Sequence, residues 1–244
     1  MPDNDNMLDN PVWWSLSTHH RPRATGTRGA LTIAKDFGPF AALSGDDPKT
    51  IDAFLNLVAQ REAPAYTMQH WSPFGNEVAP TAMGVQMVAH SVANPTDHHE
   101  IVDLREVDAV QMFNLARQAR PGPFECRTHE LGDFIGVKEG GRLIAMAGQR
   151  LSFPGFTEIS AVCVAEDCRS RGLGAALVLE MTARILASGN QPFLHTFASN
   201  QGAIALYKRL GFRIRADVQV TLWDAAKISE ARRYLQGSEM RLAS

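Results

Sequence analysis

Two stretches hold residue types at spacings that can do chemistry. The first runs Val162-Cys163-Val164-Ala165-Glu166-Asp167-Cys168-Arg169-Ser170-Arg171-Gly172-Leu173-Gly174-Ala175. A strand-like run gives way to Arg169-x-x-Gly172-x-Gly174, and helix-forming residues follow. The first N–H groups of a helix have no intrahelical acceptor and sit at the positive end of its dipole, so such a start attracts anions. Glycine at 172 and 174 lets a bulky phosphate reach the backbone with no Cβ in the way. Arg169 and Arg171 add charge beside it. Taken alone, the pattern also fits an ordinary glycine-rich turn into a core helix. It is not a Walker A loop, since no Gly-Lys-Ser/Thr follows, and it lacks the spacing of a dinucleotide fingerprint.

The second stretch is Phe193-Leu194-His195-Thr196-Phe197-Ala198-Ser199-Asn200-Gln201-Gly202-Ala203-Ile204-Ala205-Leu206-Tyr207-Lys208-Arg209-Leu210-Gly211-Phe212. It reads as a strand, an Asn-capped helix and a glycine stop. The Arg-x-x-Gly-x-Gly loop and the Asn-x-x-Ala-x-x-Leu-Tyr-x-x-x-Gly-Phe helix, in this order and spacing, resemble the signature segments of the GNAT acyl-CoA N-acyltransferases. The resemblance covers about residues 99–223. The Leu194 to Asn200 strand end is most similar to the branch that includes glycine N-acyltransferase-like proteins.

The resemblance implies acetyl-CoA as co-substrate, no metal, and transfer to a small-molecule amine or amino-acid acceptor by direct attack. It implies that the backbone of Val162, Cys163 and Val164 pairs with the pantetheine arm. It puts the pyrophosphate on Arg169, Ser170, Arg171, Gly172, Leu173, Gly174 and Ala175. It gives Asn200 a bond to a pantetheine amide and Tyr207 the role of general acid. The loop Arg120-Pro121-Gly122-Pro123-Phe124 is expected to line the acceptor site. A CoA-binding module without turnover remains the alternative, while a hydrolase lacks any Ser/His/Asp or Gly-x-Ser-x-Gly support.

The residues themselves leave roles open. Tyr207 fits a proton donor to a leaving thiolate and equally a core aromatic beside Leu206 and Leu210. Glu158, in an otherwise apolar strand, fits a general base whose pKa burial should raise, or a cross-strand partner for Arg150. His195 fits a second base, a lining of the acceptor site, or a hydrogen-bonded strand residue. Cys163 reads as core. Lys208 and Arg209 read as a solvated face that could reach the adenosine phosphates.

Elements must position these groups. Pro48 to about 62 reads as a helix behind Asp47, with Ile51, Phe54, Leu55 and Val58 at helical spacing. Strands are expected at 65–70, 83–90 and 100–105, and a helix over 108–117 with Val110, Met112, Phe113 and Leu115 inward. A short helical piece is expected at 127–131. A hairpin about Gly140-Gly141 and a turn at Pro154-Gly155 link strands at 134–138, 142–151 and 157–164. A strict alternation sets Glu158, Ser160, Val162 and Val164 on one side of the last. A mostly buried helix spans 172–187, with strands at 192–198 and 212–223 and a peripheral helical tail from Asp224. The first 25 residues read as an arm, although Val12, Trp13, Trp14 and Leu16 could dock on something. The fold class is α/β with a mixed sheet, a GNAT-like fold carrying a smaller N-terminal α/β lobe that could be a degenerate copy of the same half. The Pro-broken stretch Ser91–His99 suggests a division into 1–97 and 98–244.

Bulk composition narrows the classes. The 244 residues carry 24 Lys+Arg against 26 Asp+Glu, a formal charge of −2, and 45% hydrophobic residues. No basic excess neutralises phosphates, so nucleic acid is not the expected partner. No apolar run approaches the ~20 residues of a membrane span, and the N-terminus has no secretory pattern. The 3 Cys, Cys126, Cys163 and Cys168, form neither a disulfide framework nor metal spacing. A reducing cytoplasm is expected, with a homodimer left open.

Overall fold

A computed structural model describes residues 7–75, 77–90 and 99–242. In chain order its helices are α1 (Pro11–Ser17), α2 (Pro48–Ala59), α3 (Ala109–Ala119), α4 (Leu173–Ala187), α5 (Gln201–Arg209) and α6 (Ala225–Leu242). Its strands are β1 (Ala24–Gly26), β2 (Ala30–Ile33), β3 (Ala41–Leu43), β4 (Ala65–Gln69), β5 (Ala82–Ala89), β6 (Val102–Leu104), β7 (Phe134–Glu139), β8 (Arg142–Phe153), β9 (Phe156–Val164), β10 (Gln191–Phe197) and β11 (Phe212–Trp223). They form two compact units, the first of residues up to Lys35, 39–84 and 217 onward, the second of 36–38 and 85–216.

The first unit holds the antiparallel sheet β1-β2-β3 and a ladder between β4 and the end of β11, from Gln219↔Gln69 to Trp223↔Ala65. Asp47 caps α2 by accepting from the Thr50 N–H at 3.1 Å, and Ile51, Phe54, Leu55 and Val58 are buried as the helical spacing requires. Two sequence expectations change. From Met7 on, the described N-terminal stretch is docked rather than a free arm. Asn10 caps α1, accepting from the Trp13 N–H and donating to the Leu43 carbonyl at 2.8 Å, and Val12 and Leu16 are buried. The tail is not peripheral either, because Ile228 and Ala231 of α6 share a core with Phe54, Phe74 and Trp223. Phe54 meets Trp223 edge-on at 5.1 Å.

The second unit holds the mixed sheet that positions the candidate site, in the order β11-β5-β10-β9-β8-β7-β6. The meander from β6 to β9 is antiparallel, and β9 pairs with β10 in parallel. Helix α4 is apolar on most sides and buries Leu173, Leu177, Val178, Met181 and Ile185. Val110, expected inward, is exposed (71%), and so is Leu186 of α4 (42%), both at helix positions that face water.

These units do not follow the expected division at 97/98. The residues from 217 onward belong with the N-terminal segments because β4 pairs with β11, a contact between residues 150 to 158 positions apart along the chain that local patterning does not reveal. Most of the proposed boundary, Ser91 to His98, lies outside the described residues.

One position tests this packing. Gly148 lies opposite Phe134 in the β7–β8 ladder, and a Cβ there would sit 2.2 Å from the Phe134 ring. That ring is buried and packs edge-on against Phe124. Gly148→Ala is expected to destabilise the fold by about 1–3 kcal/mol, read as a lower denaturant midpoint at constant m.

Candidate active site

The site grows from a local failure of pairing. The parallel ladder runs from Gln191↔Phe156 to Leu194↔Ile159 and stops there. Strand β9 continues to Val164 and β10 to Phe197. On its other side β9 stays paired, with Ser160 opposite Gly148, Cys163 opposite Met146 and Val164 opposite Ala145. One edge of Ser160–Val164 is thus left without a strand partner among the described residues. An open edge presents N–H and C=O groups that an extended, amide-bearing molecule can pair with.

The same segment carries a bulge. Three steps along β9, Ser160 to Cys163, face two along β8, Gly148 to Met146. Ala161 absorbs the extra residue at φ 53°, a left-handed conformation that costs a non-glycine residue about 1–2 kcal/mol. The bulge breaks the alternation expected from the sequence, so Glu158 and Val162 need not share a face.

Beyond β9 the chain makes a 3₁₀ turn at Glu166–Cys168 and enters α4 through Ser170 at φ 63° and Gly172 at φ 77°. The first i→i−4 bond of α4 runs from the Ala176 N–H to the Gly172 carbonyl at 3.0 Å. The N–H groups of Leu173, Gly174 and Ala175 precede it and have no intrahelical acceptor. Inside the protein nothing requires glycine at 174, since a Cβ there would meet only Val164 Cγ2, at an ordinary 3.7 Å.

The two arginines of this loop differ. Arg171 ion-pairs with Glu139, and the Glu139 carboxyl is held below its usual range by that guanidinium. Arg169 is exposed and has no side-chain partner among the described residues. Asp167 binds Arg142 at 2.7 and 2.9 Å. These two pairs fix the loop to the hairpin between β7 and β8.

On β9, opposite Phe193 and one position before the ladder ends, lies Glu158. It is fully buried (0% exposed) and accepts two hydrogen bonds from Arg150, at 2.9 and 2.7 Å. Its Oε1 also lies 2.8 Å from His195 Nδ1. Gln86 Nε2 lies 3.2 Å from His195 Nε2, and Arg215 donates to Gln86 Oε1 at 3.1 Å. The row Arg215, Gln86, His195, Glu158, Arg150 takes one side chain from each of the neighbouring strands β11, β5, β10, β9 and β8.

This corrects the expected raised pKa of Glu158. Desolvation is the largest single influence and does push the carboxyl up. The charge of Arg150 and the hydrogen bonds from His195 and Arg150 outweigh it and hold the carboxyl at about 2. Glu158 is therefore an ionised, paired carboxylate, the cross-strand partner of Arg150. Tyr207 is buried on α5, and burial pushes its phenol up to about 12, so it stays protonated through the neutral range. Asn200 spends its Oδ1 on the Ala203 N–H at 3.1 Å, as cap of α5, which leaves its amide nitrogen as donor. Cys163 is buried, and its thiol is pushed up to about 12. Gln86 and Arg215 carried no recognised motif. A lone amide inside the otherwise apolar Val85-Gln86-Met87-Val88 run was the available signal.

Among the described residues no group of three or more His, Cys, Asp or Glu is gathered for a metal, and no helix is long and apolar enough to cross a membrane.

The FR47-like protein family model matches residues 134–223, the span from β7 to β11 that contains the open edge, the glycine loop and α5. A solved chain from Novosphingobium aromaticivorans DSM 12444, assigned to the GNAT family of acetyltransferases, is 34% identical with a TM-score of 0.77, over 88% of this chain and 96% of that one. The chain belongs to the GNAT family of N-acetyltransferases. A GCN5-related N-acetyltransferase from Kribbella flavida shares the fold at a TM-score of 0.65 and 16% identity, over 88% of this chain and 94% of that one. A mycothiol acetyltransferase from Corynebacterium aurimucosum is 40% identical over 62 residues, 25% of this chain and 20% of that protein. This GNAT chain thus matches about a fifth of the length of that curated relative.

The buried ion pair sets a pH dependence. The Glu158 pKa is depressed from 4.5 to about 2. The stability it contributes is present above pH 4.5 and is lost as pH falls through the interval down to about 2. Arg150→Met removes the partner and leaves a buried carboxylate, and is expected to cost roughly 3–5 kcal/mol at pH 7. Denaturant midpoints should fall for that variant at pH 7, and its steep acid loss below pH 4.5 should flatten relative to the parent.

Proposed function

We propose that this GNAT protein moves the acetyl group of acetyl-CoA to a primary amine of a small molecule or amino acid by direct attack. The observation that carries the reading is the succession, within one stretch of chain, of an unpartnered strand edge and a glycine-bearing helix start. The Ser160–Val164 edge, with Val162, Cys163 and Val164 at its centre, pairs with the amides of the pantetheine arm as an added strand. The N–H groups of Leu173, Gly174 and Ala175 receive the pyrophosphate, with Arg169 free to pair with it. Ser170 and Gly172 shape the turn, and Arg171 contributes its backbone while its guanidinium is held by Glu139. The Asn200 amide nitrogen donates to a pantetheine carbonyl. Space at Gly174 that nothing inside the chain needs supports an external ligand there.

His195 serves as general base, with Glu158 holding it. The ionised Glu158 carboxylate only accepts hydrogen bonds, so His195 Nδ1 carries a hydrogen and Nε2 has the lone pair. The amine nitrogen bonds to the acetyl carbon and gives its proton to Nε2. Glu158 stabilises the imidazolium that forms. The C–S bond breaks and the electron pair leaves on sulfur. With its phenol at about 12, full proton transfer from Tyr207 to a thiolate of ordinary pKa runs uphill. Tyr207 therefore acts by donating a hydrogen bond as charge builds on sulfur, and solvent completes the protonation.

Thiol release from acetyl-CoA across a panel of amines and amino acids tests the reading. Acetyl-CoA bound without release on any amine would overturn catalysis and leave a binding module. Gly174→Glu is expected to weaken acetyl-CoA binding about 10²-fold or more, roughly 3 kcal/mol, with unfolding unchanged. Retained affinity would move the pyrophosphate elsewhere. Tyr207→Phe and His195→Gln are each expected to lower kcat by about 10²-fold with acetyl-CoA affinity intact. An unchanged kcat in either returns that residue to the core.

A further inference from the structure

Resting on that reading, the polar row extends the catalytic base by two residues. Arg215 has donors only, so the Gln86 oxygen must face it, as the 3.1 Å contact has it. The Gln86 NH₂ then faces His195 Nε2, 3.2 Å away, and Nε2 must accept. At the other ring nitrogen, the Glu158 carboxylate lies 2.8 Å away and must also accept. Both ends of the row thus demand the same state of the imidazole, neutral with its hydrogen on Nδ1. The charged groups along the row are Arg215 on β11, Glu158 on β9 and Arg150 on β8, and the Phe193 ring stands edge-on to the imidazole at 5.6 Å.

We propose that Gln86 and Arg215 are positioning residues for the base. Arg215 orients the Gln86 amide, and the amide selects the Nδ1–H tautomer of His195 and keeps Nε2 as the proton acceptor. An incoming amine replaces one N–H donor at Nε2 with another. After transfer, Nε2–H can find no acceptor in the Gln86 NH₂. Return of that amide therefore expels the proton to solvent and resets the base.

The tautomer can be read without any substrate, from long-range ¹⁵N–¹H correlations of His195 in the labelled full-length protein at pH 8. The expected result is a protonated Nδ1 and an unprotonated Nε2. Gln86→Glu replaces the donor at Nε2 with an acceptor. It should place a hydrogen on Nε2, read as a changed Nε2 correlation against the parent. Arg215→Met removes the donor that faces the Gln86 oxygen and should give a mixture of both tautomers, with the Arg215→Lys variant closer to the parent. A parent protein with its hydrogen on Nε2 overturns the proposal, with or without folded variants. So do variants whose His195 shifts match the parent's. The expected tautomer together with no acetyl transfer to any amine would instead sink the functional reading and leave the positioning intact.

Discussion

Taking a carboxylate out of water obliges the protein to surround it with partners, and this obligation organises the site. Glu158 sits where β9 and β10 are about to part, opposite Phe193 and one step before the last ladder pair. Beyond that point the backbone no longer ties the two strands together. Arg150, Glu158 and His195 supply the tie through side chains instead, one from each of β8, β9 and β10. A buried ion pair is weak evidence of net stability compared with a well-packed apolar alternative. Here it does something an apolar cluster cannot, since it sets a carboxylate 2.8 Å from the His195 Nδ1.

The parting itself has two local supports. The bulge at Ala161 turns β9 while it keeps its ladder to β8, and the 3₁₀ turn then delivers the chain into α4. Ion pairs to Arg142 and Glu139 anchor the intervening loop to a neighbouring hairpin. The open edge and the free helix N–H groups are therefore both consequences of one strand's path. Their order along the chain matches a ligand with amides at one end and phosphates at the other.

Much of this was legible in the residues. Glycine at 172, Asn200 before an amphipathic helix and Gly211 after it mark element ends by chemistry that acts over four or five positions. Strand β11 was read to the residue, from Phe212 to Trp223. What escaped depends on long-range pairing. Arg150 was open as a partner of Glu158, but the hydrogen bond from His195 was not, and the raised pKa expected for Glu158 gave way because both reach it only after three strands align. Gln86 and Arg215 stand 129 residues apart, and no spacing along the chain announces their contact. The bulge at Ala161 was invisible because alanine carries no sign of a positive φ. The unit boundary failed for the same reason as the tail, since the pairing of β4 with β11 overrides a polar, Pro-broken stretch.

The division of the chain also orders its birth. The second unit is nearly continuous, residues 85–216 with only 36–38 drawn from earlier. The first is made of three pieces, and its core waits for Trp223, Ile228 and Ala231. During synthesis the acetyltransferase sheet can close as soon as β11 begins to emerge, since its partners are already made. The N-terminal segments, translated first, must hold Phe54 and Phe74 without Trp223 while some 140 further residues appear. The unit that holds the N-terminal segments is thus completed only after the later one has its strands.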